Sequence, residues 1–132
     1  ARLAKKLRFE RMELRDEKID SRPPEAIKTA EAERFLKTVR PEDFVVAMDE
    51  HGQRITTPEI AKRLTDWPHR VRGRVVFVVG GALGLGKDVL ARADETWRLS
   101  DLVLAGGVAR IVLLEALYRA DSINRNEPYH NA

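Results

Sequence analysis

Val75-Val76-Phe77-Val78-Val79-Gly80-Gly81-Ala82-Leu83-Gly84-Leu85-Gly86-Lys87-Asp88 is the stretch whose reading decides the fold class. Five consecutive β-branched or aromatic residues predict a strand with both faces covered, since a half-exposed strand alternates polar with apolar. Gly80-Gly81 end it, and a helix is expected over residues 88–93. Two nucleotide-binding readings of the loop fail. Gly81 to Lys87 matches G-x-x-x-x-G-K, but Asp88 stands where a hydroxyl should ligate Mg²⁺, and its carboxylate would repel phosphates. The dinucleotide fingerprint fails on order, G-x-x-G-x-G, and no acid follows at the end of a later strand. What is left is a ligand loop at the carboxyl end of a parallel strand, with Gly80 and Gly81 free of the Cβ that would hold backbone away from a flat ligand. Purely structural tight-turn glycines are the other reading.

Working outward, Pro23-Pro24 launches an amphipathic helix ending near Val39. Pro41-Glu42-Asp43 turns the chain into a buried strand over residues 44–48, and Asp49-Glu50-His51-Gly52 reads as a turn, with His51 a turn residue rather than a base. Thr57-Pro58-Glu59 opens a helix to about Trp67, where Pro68 should stop it. Residues 97–104 have strand character. After Gly106-Gly107 comes the longest helical pattern, residues 108–121, with Ile111, Leu114, Leu117 and Tyr118 on one stripe. A short edge strand is expected over residues 8–14. Strands alternating with helices predict one α/β domain over residues 1–132, with a mostly parallel sheet flanked by helices.

Composition bounds the function. Hydrophobic residues make up 43% and charged residues 34%, a balance that excludes a disordered chain, and no apolar run nears the roughly 20 residues of a membrane helix. Without cysteine there is no disulfide or thiolate metal site, and His51, His69 and His130 are too scattered to suggest a metal. The net charge of +3 is small, but its distribution is uneven. Lys62, Arg63, Arg70, Arg72 and Arg74 face the single acid Asp66, and the N-terminal stretch is also basic. Local basic surfaces suit a polyanionic partner; a solvated face beside strand ends is the plain alternative.

The C-terminal part carries the most specific motif. Leu114-Glu115-Ala116-Leu117-Tyr118-Arg119-Ala120, followed by Ile123-Asn124-Arg125-Asn126-Glu127-Pro128-Tyr129-His130, resembles the ending of the ribosomal RNA large subunit methyltransferase H family of SPOUT methyltransferases. That family ends in a leucine-rich helix, a Tyr-Arg-Ala step and a Pro-Tyr-His tail. Phe77-Val78-Val79-Gly80-Gly81 looks like its strand and glycine loop, Trp97-Arg98-Leu99-Ser100 like its Leu-Ser segment, and Met48-Asp49 with Gly52 like the end of an earlier strand. The likeness runs from about Phe9 to His130 in one order.

The resemblance implies a SPOUT domain with a C-terminal trefoil knot, acting in the cytoplasm as a homodimer and with no membrane contact. It implies S-adenosylmethionine held by three loops, at Met48, at Gly80, and at Leu99, Ser100, Asp101, Leu102, Val103 and Leu104. The implied substrate is N3 of a pseudouridine in large-subunit (23S-type) ribosomal RNA, within the 70S ribosome or the large subunit. Arg110, Tyr118, Arg119, Tyr129 and His130 are the catalytic candidates it implies, the last two reaching the pocket of a partner subunit. Tyr118 is also a candidate for dimer core, and Arg119 for a surface pair with Glu115. Three departures stand out: Ala82-Leu83 replace a Pro and an acid after the loop glycines, Ala105-Gly106-Gly107 replace a Pro-His step, and the family has an apolar strand and most of a helix before the position of Ala1, so that the chain reads as truncated. They leave a non-catalytic RNA- or ribosome-binding module of the same fold as the alternative.

Overall fold

The computed structural model describes residues 21–80 and 83–128. Among these the elements run α1 (Pro24–Leu36), β1 (Phe44–Arg54), α2 (Thr57–Arg70), β2 (Val75–Val79), α3 (Lys87–Arg92), β3 (Glu95–Arg98) and α4 (Gly106–Asn124). The expected strand over residues 8–14, the N-terminal basic stretch, Gly81, and the tail residues Tyr129 and His130 lie outside the described residues.

The strands form a parallel sheet of order β2-β1-β3, with Phe44 to Met48 of β1 in register with Val75 to Val79 of β2. Period-two alternation sends each strand's side chains to opposite faces, and both are covered. On one face Val46, Met48, Val75, Phe77 and Trp97 pack against Ile60, Leu64 and Trp67 of α2 and Leu113, Leu117 and Ala120 of α4. On the other, Val45, Ala47, Val76 and Val78 meet Ala32 and Phe35 of α1 and Val89 of α3. Each fully buried large side chain contributes about 1.5–3 kcal/mol of burial. Trp67 and Trp97 stack 6.1 Å apart at the centre of the first core. The indole N–H of Trp97 donates to Glu95, which Arg63 also holds.

Four local expectations are corrected. The residues expected to turn after Met48 stay within β1, which runs to Arg54: the ladder to β3 breaks after Met48↔Trp97 and resumes at Gln53↔Trp97, so residues 49–52 are an insertion in a continuing strand. Gly52 serves that path, because a Cβ there would lie 2.8 Å from the Thr96 carbonyl. Pro68 does not stop α2, which continues to Arg70. A proline in the last turn forgoes one main-chain bond, and Trp67 beside it is locked into the core by Phe44, Phe77 and Trp97. The cap is Thr56, in a reciprocal capping box with Glu59, rather than Thr57. Finally, strand pairing ends at Arg98, and Leu99 to Leu104 form a loop instead of a strand.

Candidate functional site

A cleft of about 490 Å³ opens at the carboxyl ends of all three strands, a size that suits a small ligand and the position where open α/β sheets bind one. Met48 ends the stretch of β1 paired with β2, Val79 ends β2 and Gly80 follows it, and Trp97 and Arg98 close β3; all five line the cleft. The loop after β3 contributes Leu99, Ser100, Leu102, Val103 and Leu104, and α4 contributes Gly106 and Ala109. Leu83, Leu85 and Leu90 add apolar wall from the other side of the sheet.

The glycines shape this cleft by internal contact. A Cβ on Gly80 would come 2.8 Å from the Gly84 carbonyl carbon and 3.0 Å from the Leu85 nitrogen, so its bare Cα lets the loop fold back on itself. That revises the expectation that Gly80 is bare for the sake of the ligand. Gly84 has φ +81°, a left-handed turn that an L side chain would strain. A Cβ on Gly106 would meet the Gly80 carbonyl oxygen at 2.8 Å, so the start of α4 sits directly on the glycine loop. The first turn of α4, beside the cleft, has no capping side chain at Ala105 and no acid.

Of the residues assigned to the cofactor by resemblance, Asp101 alone is not among those lining the cleft. Its carboxylate accepts both available contacts from Arg54 Nη2, each at 2.9 Å, and so ties the loop to the end of β1. Arg98 Nε stands 3.6 Å from Asp101 and, although buried, has no hydrogen-bond acceptor. The other charged lining residues are Lys28, Asp49, Glu50 and His51. His51 Nε2 lies 3.3 Å from a Glu50 carboxylate oxygen. Sequence reasoning passed over these, because Asp49 to Gly52 looked like an ordinary turn. Their position directly after a buried strand was the available signal.

The catalytic candidates on α4 do not line this cleft. Arg119 donates to Glu115 at 3.0 Å, the surface pairing weighed for it from the sequence. Tyr118 is 50% exposed on the same outer surface as Val108, Ile111 and Leu114. Arg110 is half-buried in the first turns of the helix. Leu117, expected on that outer stripe, is instead 1% exposed in the core beneath α4.

At the amino ends of the strands the basic cluster separates into two kinds. Arg74 is structural: its guanidinium and main-chain N–H, with the N–H of Arg40, hold the buried Asp43 carboxylate. Burial by itself would raise the pKa of Asp43, but these donors outweigh it and bring the group down to about 2. Arg63 is engaged with Glu95 at 2.7 Å. Lys62, Arg70 and Arg72 remain exposed.

The sequence profile of the family described as Predicted SPOUT methyltransferase matches residues 1–130. The chain belongs to the SPOUT methyltransferases. Among its SPOUT relatives, the ribosomal RNA large subunit methyltransferase H of Nitrosomonas eutropha is 40% identical over 132 residues, covering 99% of this chain and 84% of the relative. That of Desulfovibrio desulfuricans is 42% identical over 109 residues, 83% of this chain and 69% of the relative. That of Desulfitobacterium hafniense strain Y51 is 35% identical over 133 residues, 98% of this chain and 83% of the relative. The parallel sheet and strand-end cleft are thus those of a SPOUT methyltransferase, and no helix among the described residues is long and apolar enough to cross a membrane.

Proposed function

We propose that this chain transfers a methyl group from S-adenosylmethionine to N3 of a pseudouridine in large-subunit ribosomal RNA, in the cytoplasm, as a homodimer with the family's knotted C-terminal segment. The observation that carries this reading is the convergence of Met48, Gly80 and the loop from Leu99 to Leu104 on one cleft, in a chain whose relatives are named for ribosomal RNA methylation. The residues fit the donor. It bears a sulfonium, an ammonium and a carboxylate, and the cleft lining includes the acids Asp49 and Glu50 and the cation Arg98, plus the apolar surface an adenine needs. When bound, the donor supplies an already activated methyl group.

The chain's own work is to orient that group and to take up the proton leaving N3. The leucines of the two loops exclude water from one side of the cleft, and Glu50 with His51 provides proton-accepting atoms at its rim. Val108, Ile111, Leu114 and Tyr118 form an exposed apolar strip along α4, with Leu102 and Val103 exposed on the preceding loop. A second copy seated there would bury that surface and bring Arg110, Tyr118 and Arg119 near a cleft they do not line within one chain, with Tyr129 and His130 reaching it from the partner copy. The test is calorimetry with S-adenosylmethionine, its demethylated product and ATP, followed by transfer of labelled methyl to purified large ribosomal subunits. Binding of the first two and label recovered on a pseudouridine is expected. Ribosome binding without donor binding would instead favour the non-catalytic module.

A further inference from the structure

Among the cleft-lining cations, Arg98 is in an unusual electrostatic position. It closes β3, its side chain is 33% exposed, and its Nε is buried without an acceptor. With Nε out of solvent and without an acceptor, the exposed third of the side chain is where a charged acceptor in the cleft could meet the guanidinium. The nearest carboxylate cannot do this well. Asp101 is 3.6 Å away and already gives both oxygens to Arg54 at 2.9 Å, so its one negative charge is shared between two arginines and its pairing with Arg98 is the longer of the two. The other lining cation, Lys28, is directed at Glu25 on its own helix, 4.0 Å away. The uncapped first turn of α4 borders the same cleft and adds a partial positive charge of its own.

We propose that Arg98 is the cleft's carboxylate anchor: it binds the α-carboxylate of the methyl donor's methionine moiety and so discriminates the intact donor from adenosine compounds that lack that group. The inference rests on the donor reading given above. A guanidinium suits the role because its fixed N–H fork meets both oxygens of a carboxylate. Holding the carboxylate at the end of β3 would pin one end of the donor while the apolar walls hold the other, which restricts where its methyl group points.

The experiment compares the unmodified chain, Arg98→Gln, Arg98→Lys and Lys28→Gln by calorimetry against three probes. S-adenosylhomocysteine carries the carboxylate; 5′-methylthioadenosine has the same adenosine and thioether but neither carboxylate nor amino group. Decarboxylated S-adenosylmethionine, which keeps the amino group, isolates the carboxylate itself. Arg98→Gln should weaken S-adenosylhomocysteine about ten- to hundredfold, the worth of one charge-assisted hydrogen bond, and leave both probes lacking the carboxylate within about twofold. Arg98→Lys should recover part of the loss, and Lys28→Gln should cause little. An equal loss for all probes in a folded Arg98→Gln chain would make Arg98 a structural residue and overturn the proposal, as would a loss that follows Lys28 instead. If the unmodified chain binds none of the adenosine compounds, the donor reading itself falls, and the anchor with it. Unchanged binding in Arg98→Gln, with the unmodified chain binding normally, overturns the anchor alone.

Discussion

Asp43 shows at the scale of one residue how a charged group is made part of the scaffold. Its side chain is 1% exposed, and the donors from Arg74 and Arg40 keep it ionised with a pKa near 2 instead of 3.8. At about 1.4 kcal/mol per pKa unit, that difference corresponds to about 2 kcal/mol of stability. Because the folded value lies below the ordinary one, the contribution is fully present above about pH 4 and is lost as pH falls toward 2. Asp43→Asn is therefore expected to lower unfolding stability by about 2 kcal/mol at neutral pH, with the gap to the unmodified chain closing between pH 4 and 2 in denaturant titrations. A gap independent of pH would remove the ionic explanation. Gly73 belongs to the same arrangement: a Cβ there would lie 2.6 Å from Asp43 Oδ1.

At the scale of the element, α4 carries two apolar faces with different purposes. Ala109, Leu113, Leu117 and Ala120 face the sheet and α2, and Asn124 donates to the Ala61 carbonyl to fix the helix end. Val108, Ile111, Leu114 and Tyr118 look outward, Ile111 at 68% exposure. A helix apolar on two faces gives a weak periodic signal, which is why Leu117 and Ile111 looked equivalent on sequence. They should behave differently. Leu117→Asp places a charge in the core and is expected to unfold the chain, whereas Ile111→Asp should leave the fold and its melting curve intact while producing monomers in sedimentation. An unmodified chain that is already monomeric at micromolar concentration would refute the second-copy assignment of the outer face.

Across the whole molecule, the cleft and the pair Arg70 and Arg72 sit at opposite ends of the parallel strands, since parallel pairing collects all the carboxyl ends on one side. Arg70 and Arg72 flank a shallow hollow at the amino ends, lined also by Glu42, Phe44 and Trp67. If the polyanion is held there, Arg70→Ala with Arg72→Ala should lower affinity for ribosomal RNA and reduce the salt slope by about one for each phosphate no longer neutralised, with donor binding unchanged. Arg74→Ala should behave differently, as a loss of stability, because its guanidinium is committed to Asp43. Equal salt slopes in the double variant and the parent would place the RNA elsewhere.

Much of the architecture was legible in the chain itself. The run from Val75 to Val79, the second apolar run from Phe44, and the helices between them follow from local patterning, and the glycine after Val79 marks where that strand stops. The ending from Leu114 to His130 carried the family. Local patterning could not say that β1 continues past Met48, because that depends on β3 returning to pair with Gln53 and Arg54. Nor could it say that Gly80 is bare for Gly84 and Leu85, that Arg74 belongs to Asp43 and Arg63 to Glu95, or that Arg98 keeps a buried Nε without a hydrogen-bond acceptor beside the cleft. Composition counts charges one by one. Whether a cation is spent inside the fold or available to a ligand is a property of pairs distant in sequence, and only tertiary packing brings those pairs together.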